Sequence, residues 1–237
     1  MPWPPPGGIV GSEGGRVNGL HGVGKGKTHM GSAPAVFLAV LVYGAIHSAL
    51  LTDTARLALE AVAGSRVFRG TFRLAYNVLS AVLLAVLVAW AARLPDADLV
   101  RIPGIWAVVL WTVRLAALGF VGWCVHRIGG GGFLGLEHLR AWRAGLPSPA
   151  PGMEAGALVL DGPYRWVRHP MYAAGFVALW SEPVWTWNRL GFALGASVYL
   201  WVGSLLEERR LLRAFGPAYR AYMERTPRFI PRFRRVP

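Results

Sequence analysis

Two short stretches of the 237-residue chain concentrate the side chains that could bind or transform a ligand. The first, residues 161–172, reads Asp-Gly-Pro-Tyr-Arg-Trp-Val-Arg-His-Pro-Met-Tyr. The second, residues 207–222, begins with two glutamates and ends with two tyrosines three positions apart. Guanidinium and imidazolium groups suit an anionic ligand, whereas carboxylates accept hydrogen bonds from hydroxyl or ammonium groups. We therefore expect the two stretches to close over one ligand site at a membrane surface.

Pro170 is expected to begin a helix with His169 at its N-cap. Proline is favoured at the first helical position, and the residue before a proline is pushed towards extended geometry. The free N–H groups and partial positive charge of a helix N-terminus suit a carboxylate. Arg165 and Arg168 would add donors to the same corner. The alternative is a basic surface loop whose arginines bind lipid phosphates.

Glu207 and Glu208 are adjacent, so on a helix their side chains point about 100° apart. One is expected to face inward and the other water. The pair could accept hydrogen bonds from a ligand, or it could be a solvated helix end paired to neighbouring arginines. Beyond it, Gly216 and Pro217 predict the end of one helix and the start of another. Residues 222–231 then read as an extended strap.

The composition is that of an integral membrane protein. The chain is 54% hydrophobic and only 16% charged, with a mean hydropathy of +0.40, whereas a soluble domain has about 25% charged residues. The apolar residues occur in blocks, as they do in membrane helices. The net charge is +13. Because the arginines flank apolar blocks, the expected counter-charge is anionic lipid and not nucleic acid.

These blocks predict an all-α membrane protein with about five apolar helical segments. Three spans are expected over residues 33–51, 74–92 and 105–125, and a C-terminal helical hairpin over residues 171–184 and 190–206. An interfacial helix is expected within residues 52–73. The positive-inside rule places the arginine-rich segments 52–73, 126–170 and 207–237, and with them the C-terminus, on the cytoplasmic side.

By function, the chain divides into four parts. These are a disordered Gly/Pro-rich tail (1–32), three transmembrane helices (33–125), a connecting loop (126–160), and a region with the catalytic motif, the hairpin and the strap (161–237). Met30 is an alternative start, since the residues before it show no apolar periodicity. The glycine run 129–132 is interpreted as a hinge, with close approach to a ligand as the alternative.

Two residues within the third span need separate interpretations. Arg114 lies in its middle, where a charge is costly; it is expected either to form a structural ion pair or to contact substrate. Cys124 is the chain's one cysteine, and it is interpreted as a small buried apolar residue. The spacing of cysteines and histidines does not match a zinc site, so no metal ligands are assigned.

The ordered pair of motifs resembles the isoprenylcysteine carboxyl methyltransferase and phospholipid methyltransferase superfamily. The residues concerned are Gly162-Pro-Tyr-Arg-x-x-Arg-His-Pro-x-Tyr172, Glu207-Glu-x-x-Leu-x-x-x-Phe-Gly-x-x-Tyr-x-x-Tyr222 and Pro227-x-x-x-Pro231. In the front half, His47-Ser48, Tyr76-Asn77 and Phe133-Leu-Gly-Leu136 are similar to the bacterial branch of NnrU-like proteins and methanethiol methyltransferases.

This resemblance implies S-adenosylmethionine as the methyl donor, bound in a cytosol-facing pocket between the hairpin and the strap. The residues that match the family's cofactor-contacting positions are Tyr164, His169, Pro170, Tyr172, Glu207 and Glu208. Arg168 and Arg225 match arginines that bind the substrate carboxylate in the carboxyl methyltransferases. The implied methyl acceptor is a lipophilic or small thiol or carboxylate, or a lipid amine.

Two other functions remain open at this point. Sterol-type reductases that use NADPH carry a similar Arg-His-Pro-x-Tyr motif, although they usually have asparagine where this chain has Met171. The chain could also be a non-catalytic membrane accessory protein that keeps the fold without turnover.

Overall fold

The computed structural model describes residues 30–147 and 158–231, and these residues are almost wholly helical. The helices are α1 (Ala33–Ala49), α2 (Asp53–Ala63), α3 (Ser65–Ala91), α4 (Gly104–Arg127), α5 (Gly130–Leu134), α6 (Leu136–Arg143), α7 (Pro170–Trp180), α8 (Trp187–Phe215) and α9 (Pro217–Arg225). Short 3-10 turns cover Met30–Ser32 and Gly162–Arg165. The predicted all-α membrane fold is confirmed. Residues 1–29 of the predicted tail lie outside the described residues.

Three helices are long and apolar enough to cross a bilayer: α3, α4 and α8. Helices α1 and α2 meet at a 62° bend and together could form a fourth, broken span. With 29 residues, α8 is about 43 Å long at 1.5 Å per residue, whereas the 11 residues of α7 reach only about 16 Å. The C-terminal hairpin therefore has one full-length arm and one short arm, and the protein is an integral membrane protein.

Helices α1 and α8 run parallel and in close contact because small residues face each other at their crossing. A Cβ at Gly191 would lie 2.5 Å from the carbonyl oxygen of Ala33, and one at Gly195 would lie 2.9 Å from that of Phe37. Gly191 and Gly195 are four residues apart on one face of α8, the spacing that lets membrane helices approach closely. A Cβ at Gly44 would in turn meet the ring of Tyr199 at 2.4 Å. This packing fixes the height of α1 against α8.

Residues 130–143 fold differently from the expected loop. Gly129 and Gly135 adopt left-handed backbone with φ of 84° and 86°, and the short helices α5 and α6 lie between and after them. A Cβ at Gly135 would lie 2.5 Å from the backbone nitrogen of Leu74. Gly129 and Gly135 thus allow a tight turn against α3, whereas Gly130, Gly131 and Gly132 lie within α5.

A two-stranded ribbon, which the sequence analysis missed, closes one end of the helix bundle. Strand β1 (Asp98–Arg101) pairs antiparallel with β2 (Val184–Thr186). Asp96 accepts from the backbone nitrogen of Asn188 at 3.1 Å, and Thr186 caps α8 through the nitrogen of Arg189 at 3.2 Å. The start of α8 is therefore tied to the connection between α3 and α4.

Arg114 forms the structural ion pair that was one of its two interpretations. Its Nη2 lies 2.9 Å from Oε2 of Glu182, and its Nε donates to the carbonyl oxygen of Ala178 at 2.9 Å. Both partners belong to the end of α7 and the residues after it, so the pair fastens α4 to α7. Cys124, further along α4, is fully buried, as predicted.

Candidate functional site

The end of the bundle opposite the ribbon gathers the two motif stretches into one site. The backbone nitrogen of Arg168 donates to the carbonyl of Pro227 at 2.8 Å, and that of His169 donates to the carbonyl of Arg228 at 3.1 Å. Helix α9 continues to Arg225, so the extended strap begins four residues later than the sequence suggested. The strap lies beside the start of α7 and closes over it.

Glu208 lies at the centre of a buried ion cluster. Its carboxylate is 2.7 Å from Nη2 of Arg168, 2.5 Å from Nη2 of Arg228 and 3.2 Å from Nε2 of His169. Arg168 also donates to the carbonyl of Met223 at 3.0 Å. The buried carboxylate is compensated by these cationic partners, and the cluster joins α8, the N-terminus of α7 and the strap.

His169 lies between the two glutamates and is buried, with 3% of its surface exposed. Nε2 faces Glu208, and Nδ1 lies 3.6 Å from Oε2 of Glu207. Burial disfavours the imidazolium, but the hydrogen bonds and negative charge of the two carboxylates outweigh burial and raise the pKa of His169 above its ordinary value. Because both ring nitrogens face acceptors, the doubly protonated ring fits this position.

Both glutamates are buried, which corrects the expectation that one of them would face water. Glu207 is 8% exposed and Glu208 4% exposed. Glu208 faces the ion cluster, whereas Glu207 faces His169, Tyr172 and an internal cavity. The two adjacent carboxylates thus have different partners. Glu208 forms structural ion pairs, and Glu207 faces the cavity.

The cavity has a volume of about 320 Å³ and lies between the front and back halves of the chain. Its lining consists of His47, Leu51, Arg56, Phe72, Arg73, Tyr76, Asn77, Phe133, Met171, Tyr172, Tyr199, Leu200, Glu207, Arg210 and Leu211. The front half, which the sequence analysis treated mainly as membrane anchor, supplies half of this wall. The signal was present in the sequence, since His47, Tyr76, Asn77 and Phe133 belong to the front-half motifs quoted for the resemblance.

A histidine between two tyrosines lines the cavity. The hydroxyl of Tyr199 lies 2.7 Å from Nδ1 of His47. The hydroxyl of Tyr76 lies 2.7 Å from Nε2 and 2.9 Å from Nδ1 of the same ring. Helices α1, α3 and α8 each contribute one member. We call His47, Tyr76 and Tyr199 the His–Tyr cluster.

A polar shelf on α3 faces the same cavity. Asn77 and Arg73 both donate to the carbonyl oxygen of Phe133, at 3.0 and 2.9 Å. The guanidinium of Arg73 also lies over the Phe133 ring, 5.2 Å from its centre. These contacts fix α5 against α3 and leave positive charge beside the cavity.

The remaining sequence-predicted residues divide into those near the site and those away from it. Pro170 begins α7 with His169 at the N-cap, as expected, and Tyr172 lines the cavity. The hydroxyl of Tyr164 is buried without a hydrogen-bond partner among the described residues. Arg225 and Arg165 are exposed, and the structure does not bring either into the cluster.

Arg228 and Arg210 are the arginines that sequence reasoning missed. Arg228 pairs with Glu208, its Nη2 lying 2.5 Å from Oε2. Arg210 lines the cavity one helical turn beyond Glu207. Arg228 lies in the strap outside the two dense stretches, and only the long-range pairing of strap and α7 brings it in.

A known family model matches part of this chain. Residues 150–218 match the family model described as "Phospholipid methyltransferase". This range contains the Arg-His-Pro-x-Tyr stretch, the hairpin and the paired glutamates. Together with the relatives below, the match confirms the resemblance to the phospholipid and isoprenylcysteine methyltransferase superfamily.

The curated relatives point to the bacterial branch. A methanethiol S-methyltransferase of Mycobacterium tuberculosis is 37% identical over 136 residues, 52% of this chain and 53% of that protein. Methanethiol S-methyltransferase 1 of Bradyrhizobium diazoefficiens is 34% identical over 124 residues, 50% of this chain and 42% of that protein. The methanethiol S-methyltransferase of Pseudomonas deceptionensis is 40% identical over 74 residues, 31% and 28% of the two chains. The chain thus spans about half the length, or less, of these relatives. No solved structure matches it significantly.

Proposed function

We propose that this protein is a membrane-embedded, S-adenosylmethionine-dependent methyltransferase acting on a small thiol. The observation that carries the proposal is Glu207, a buried carboxylate that faces a cavity beside the N-terminus of α7. The relatives named as methanethiol S-methyltransferases support a small thiol over the carboxylate and lipid-amine acceptors.

The described residues fit such a methyl donor. The cavity presents the carboxylate of Glu207, which can accept from ribose hydroxyls or an ammonium group. The guanidinium of Arg210 and the N-terminus of α7 suit the donor's carboxylate.

The protein's own contribution is positioning and exclusion of water. S-adenosylmethionine supplies an activated methyl group on a sulfonium. The Glu208 cluster fixes the strap against α7, and Phe229 of the strap packs on His169, Phe176 and Trp201 with ring centres 5.4–5.9 Å apart. This packing places apolar surface beside His169, and exclusion of water by such surface when ligands bind would favour a reaction in which charge is lost. In this proposal His47, Tyr76 and Tyr199 lie on the acceptor side of the cavity, and Tyr172, Glu207 and Arg210 lie on the donor side.

The test is calorimetric titration of the detergent-solubilised protein with S-adenosylhomocysteine. Micromolar binding is expected in the wild type, with at least a tenfold loss in Glu207→Gln. Glu224→Gln is the matched control, because Glu224 is an exposed glutamate on α9 and its change should leave binding intact. Absence of binding to well-folded wild type, in detergent and again in nanodiscs, would refute the proposal.

The reductase alternative is tested on the same preparation. Titration with NADPH should leave the intrinsic tryptophan fluorescence unchanged to millimolar concentration. Saturable quenching by NADPH, combined with no response to S-adenosylhomocysteine, would favour the reductase.

A further inference from the structure

The His–Tyr cluster lies at a different depth in the cavity from Glu207. Tyr199 and Glu207 are eight residues apart on α8, or about 12 Å along the helix axis. Both line the same cavity. A methyl donor that contacts Glu207 and Tyr172 at one end of the cavity therefore leaves the other end, with the His–Tyr cluster, open to a second molecule. All three members of the cluster line the cavity. A molecule bound at that end of the cavity therefore meets a histidine that can accept a proton.

The partners of His47 are suited to accepting a proton. Its ring nitrogens face tyrosine hydroxyls, whereas those of His169 face carboxylates. A neutral imidazole carries one donor and one acceptor, and two hydroxyls can satisfy both. Arg73 and Arg210 also line the cavity, and their positive charge favours an anion such as a thiolate there.

Resting on the proposed function, we infer that His47 is the general base of the reaction and that the deep end of the cavity binds an acceptor that must lose a proton. This acceptor is a neutral thiol. The S–H proton passes to the Tyr199 hydroxyl oxygen while the Tyr199 proton passes to Nδ1 of His47, giving a thiolate and an imidazolium. The thiolate sulfur then forms a bond to the donor's methyl carbon, and the carbon–sulfonium bond breaks with its electron pair returning to the leaving sulfur.

The same geometry argues against a carboxylate acceptor. A carboxylic acid is already ionised at neutral pH and needs no base, whereas an alkanethiol is mostly protonated there. A base built from side chains of three helices is therefore needed to deprotonate a thiol acceptor, whereas a carboxylate acceptor does not need one. Tyr76 touches the ring from α3, and we assign it a positioning role.

The test compares two thiols of similar size in wild type and His47→Gln. Ethanethiol is weakly acidic, and 2,2,2-trifluoroethanethiol is far more acidic because of its fluorines. At a pH where the second is largely ionised, His47→Gln should lower the rate of ethanethiol methylation by about 100-fold or more, the usual contribution of a general base. Methylation of trifluoroethanethiol should fall only a few-fold. Calorimetric binding of S-adenosylhomocysteine should stay within twofold of wild type.

Controls separate a catalytic from a structural role. Tyr43 lies one turn before His47 on α1, with its ring 5.8 Å from the His47 ring, but it does not line the cavity; Tyr43→Phe should leave both rates near wild type. Tyr199→Phe keeps the imidazole and should show the same selective loss, which provides a second test if His47→Gln does not fold. Equal losses with both thiols, or no loss, while S-adenosylhomocysteine still binds, would overturn the inference. Failure of wild type to bind S-adenosylhomocysteine would instead overturn the proposed function.

Discussion

Glu208 is the residue on which the C-terminal ion cluster depends. Its carboxylate pairs with Arg168 and Arg228 and accepts from His169, and none of these side chains is more than 24% exposed. Removing one partner of a buried ion group leaves the others unpaired in a low dielectric, at a cost of about 3–5 kcal/mol. The cluster is therefore a structural element of the site as well as an electrostatic one.

Glu208→Gln is accordingly expected to lower the thermal midpoint strongly and to release the strap. Unfolding in detergent, followed by tryptophan fluorescence, measures this change. Glu224→Gln again serves as the control, because it makes the same chemical change at an exposed position. A variant as stable as wild type would show that the cluster contributes no net stability.

The raised pKa of His169 leads to a prediction about pH. A group whose pKa is higher in the folded than in the unfolded state contributes stability that is complete below its unfolded pKa, here near 6.5. This contribution is lost as the pH rises through the folded value. The difference in thermal midpoint between wild type and His169→Gln should therefore be largest at acid pH and shrink towards alkaline pH. A difference that grew with pH would contradict the charged state assigned to His169.

At the scale of elements, the contact between α1 and α8 sets the shape of the cavity. It places His47 beside Tyr199, and it depends on glycines whose faces leave no room for a methyl group. Helix α8 also carries Glu207, two turns beyond Tyr199. A change in this contact should therefore be felt at both ends of the cavity.

Gly191→Ala should destabilise the protein by about 1–3 kcal/mol, because the added Cβ would lie 2.5 Å from a backbone oxygen of α1 and overpacking costs about that much. Gly119→Ala on α4 is the matched control. A Cβ there meets nothing within 4 Å, so the gain in helix propensity should appear alone. Thermal unfolding of both variants compares them directly; equal midpoints would show that α1 can move away without cost.

The strap is expected to loosen when its aromatic anchor is removed. Phe229→Ala deletes the ring that packs on His169, Phe176 and Trp201, and it should speed tryptic cleavage after Arg228 and weaken S-adenosylhomocysteine binding. Ile230→Ala is the control, since Ile230 is 79% exposed. Cleavage at the wild-type rate in Phe229→Ala would show that hydrogen bonds alone fix the strap.

The sequence predicted the long apolar helices and the gathering of Arg168, His169 and Glu207 at one place, because both are marked by local patterns. Apolar blocks mark the spans, and Arg168, His169 and Glu207 stand in two dense stretches. What it could not predict depends on contacts between distant segments. Arg228 joins the cluster through strap pairing, and the meeting of His47 with Tyr199 follows from the height at which α1 crosses α8. The β-ribbon was missed because its strands are short and its nearest paired residues, Arg101 and Val184, are 83 positions apart.

At the scale of the whole molecule, the arginine-rich segments lie at one end of the bundle. The ends of α1, α4 and α8, the short helices α5 and α6, and the strap all lie opposite the β-ribbon. The positive-inside rule would put this end, with the candidate site, in the cytoplasm. The ribbon would then face the other side of the membrane.

Cysteine labelling tests this orientation. The native cysteine, Cys124, should not react, because it is fully buried. Arg93→Cys places a thiol on an exposed position near the ribbon, and Arg220→Cys places one on exposed α9. A membrane-impermeant maleimide should label Arg93→Cys in intact spheroplasts and Arg220→Cys only after lysis. The reverse pattern would place the site outside the cytoplasm.

Under the proposed function, α8 also sets the distance between two bound molecules. It carries Tyr199 and Glu207 on one continuous rod, so the separation of the two reacting molecules is set by helical pitch and not by loop conformation. One residue inserted between these positions would rotate one end by about 100° relative to the other. Insertions and deletions should therefore be excluded from this interval, even where every side chain in it can be exchanged for another apolar one.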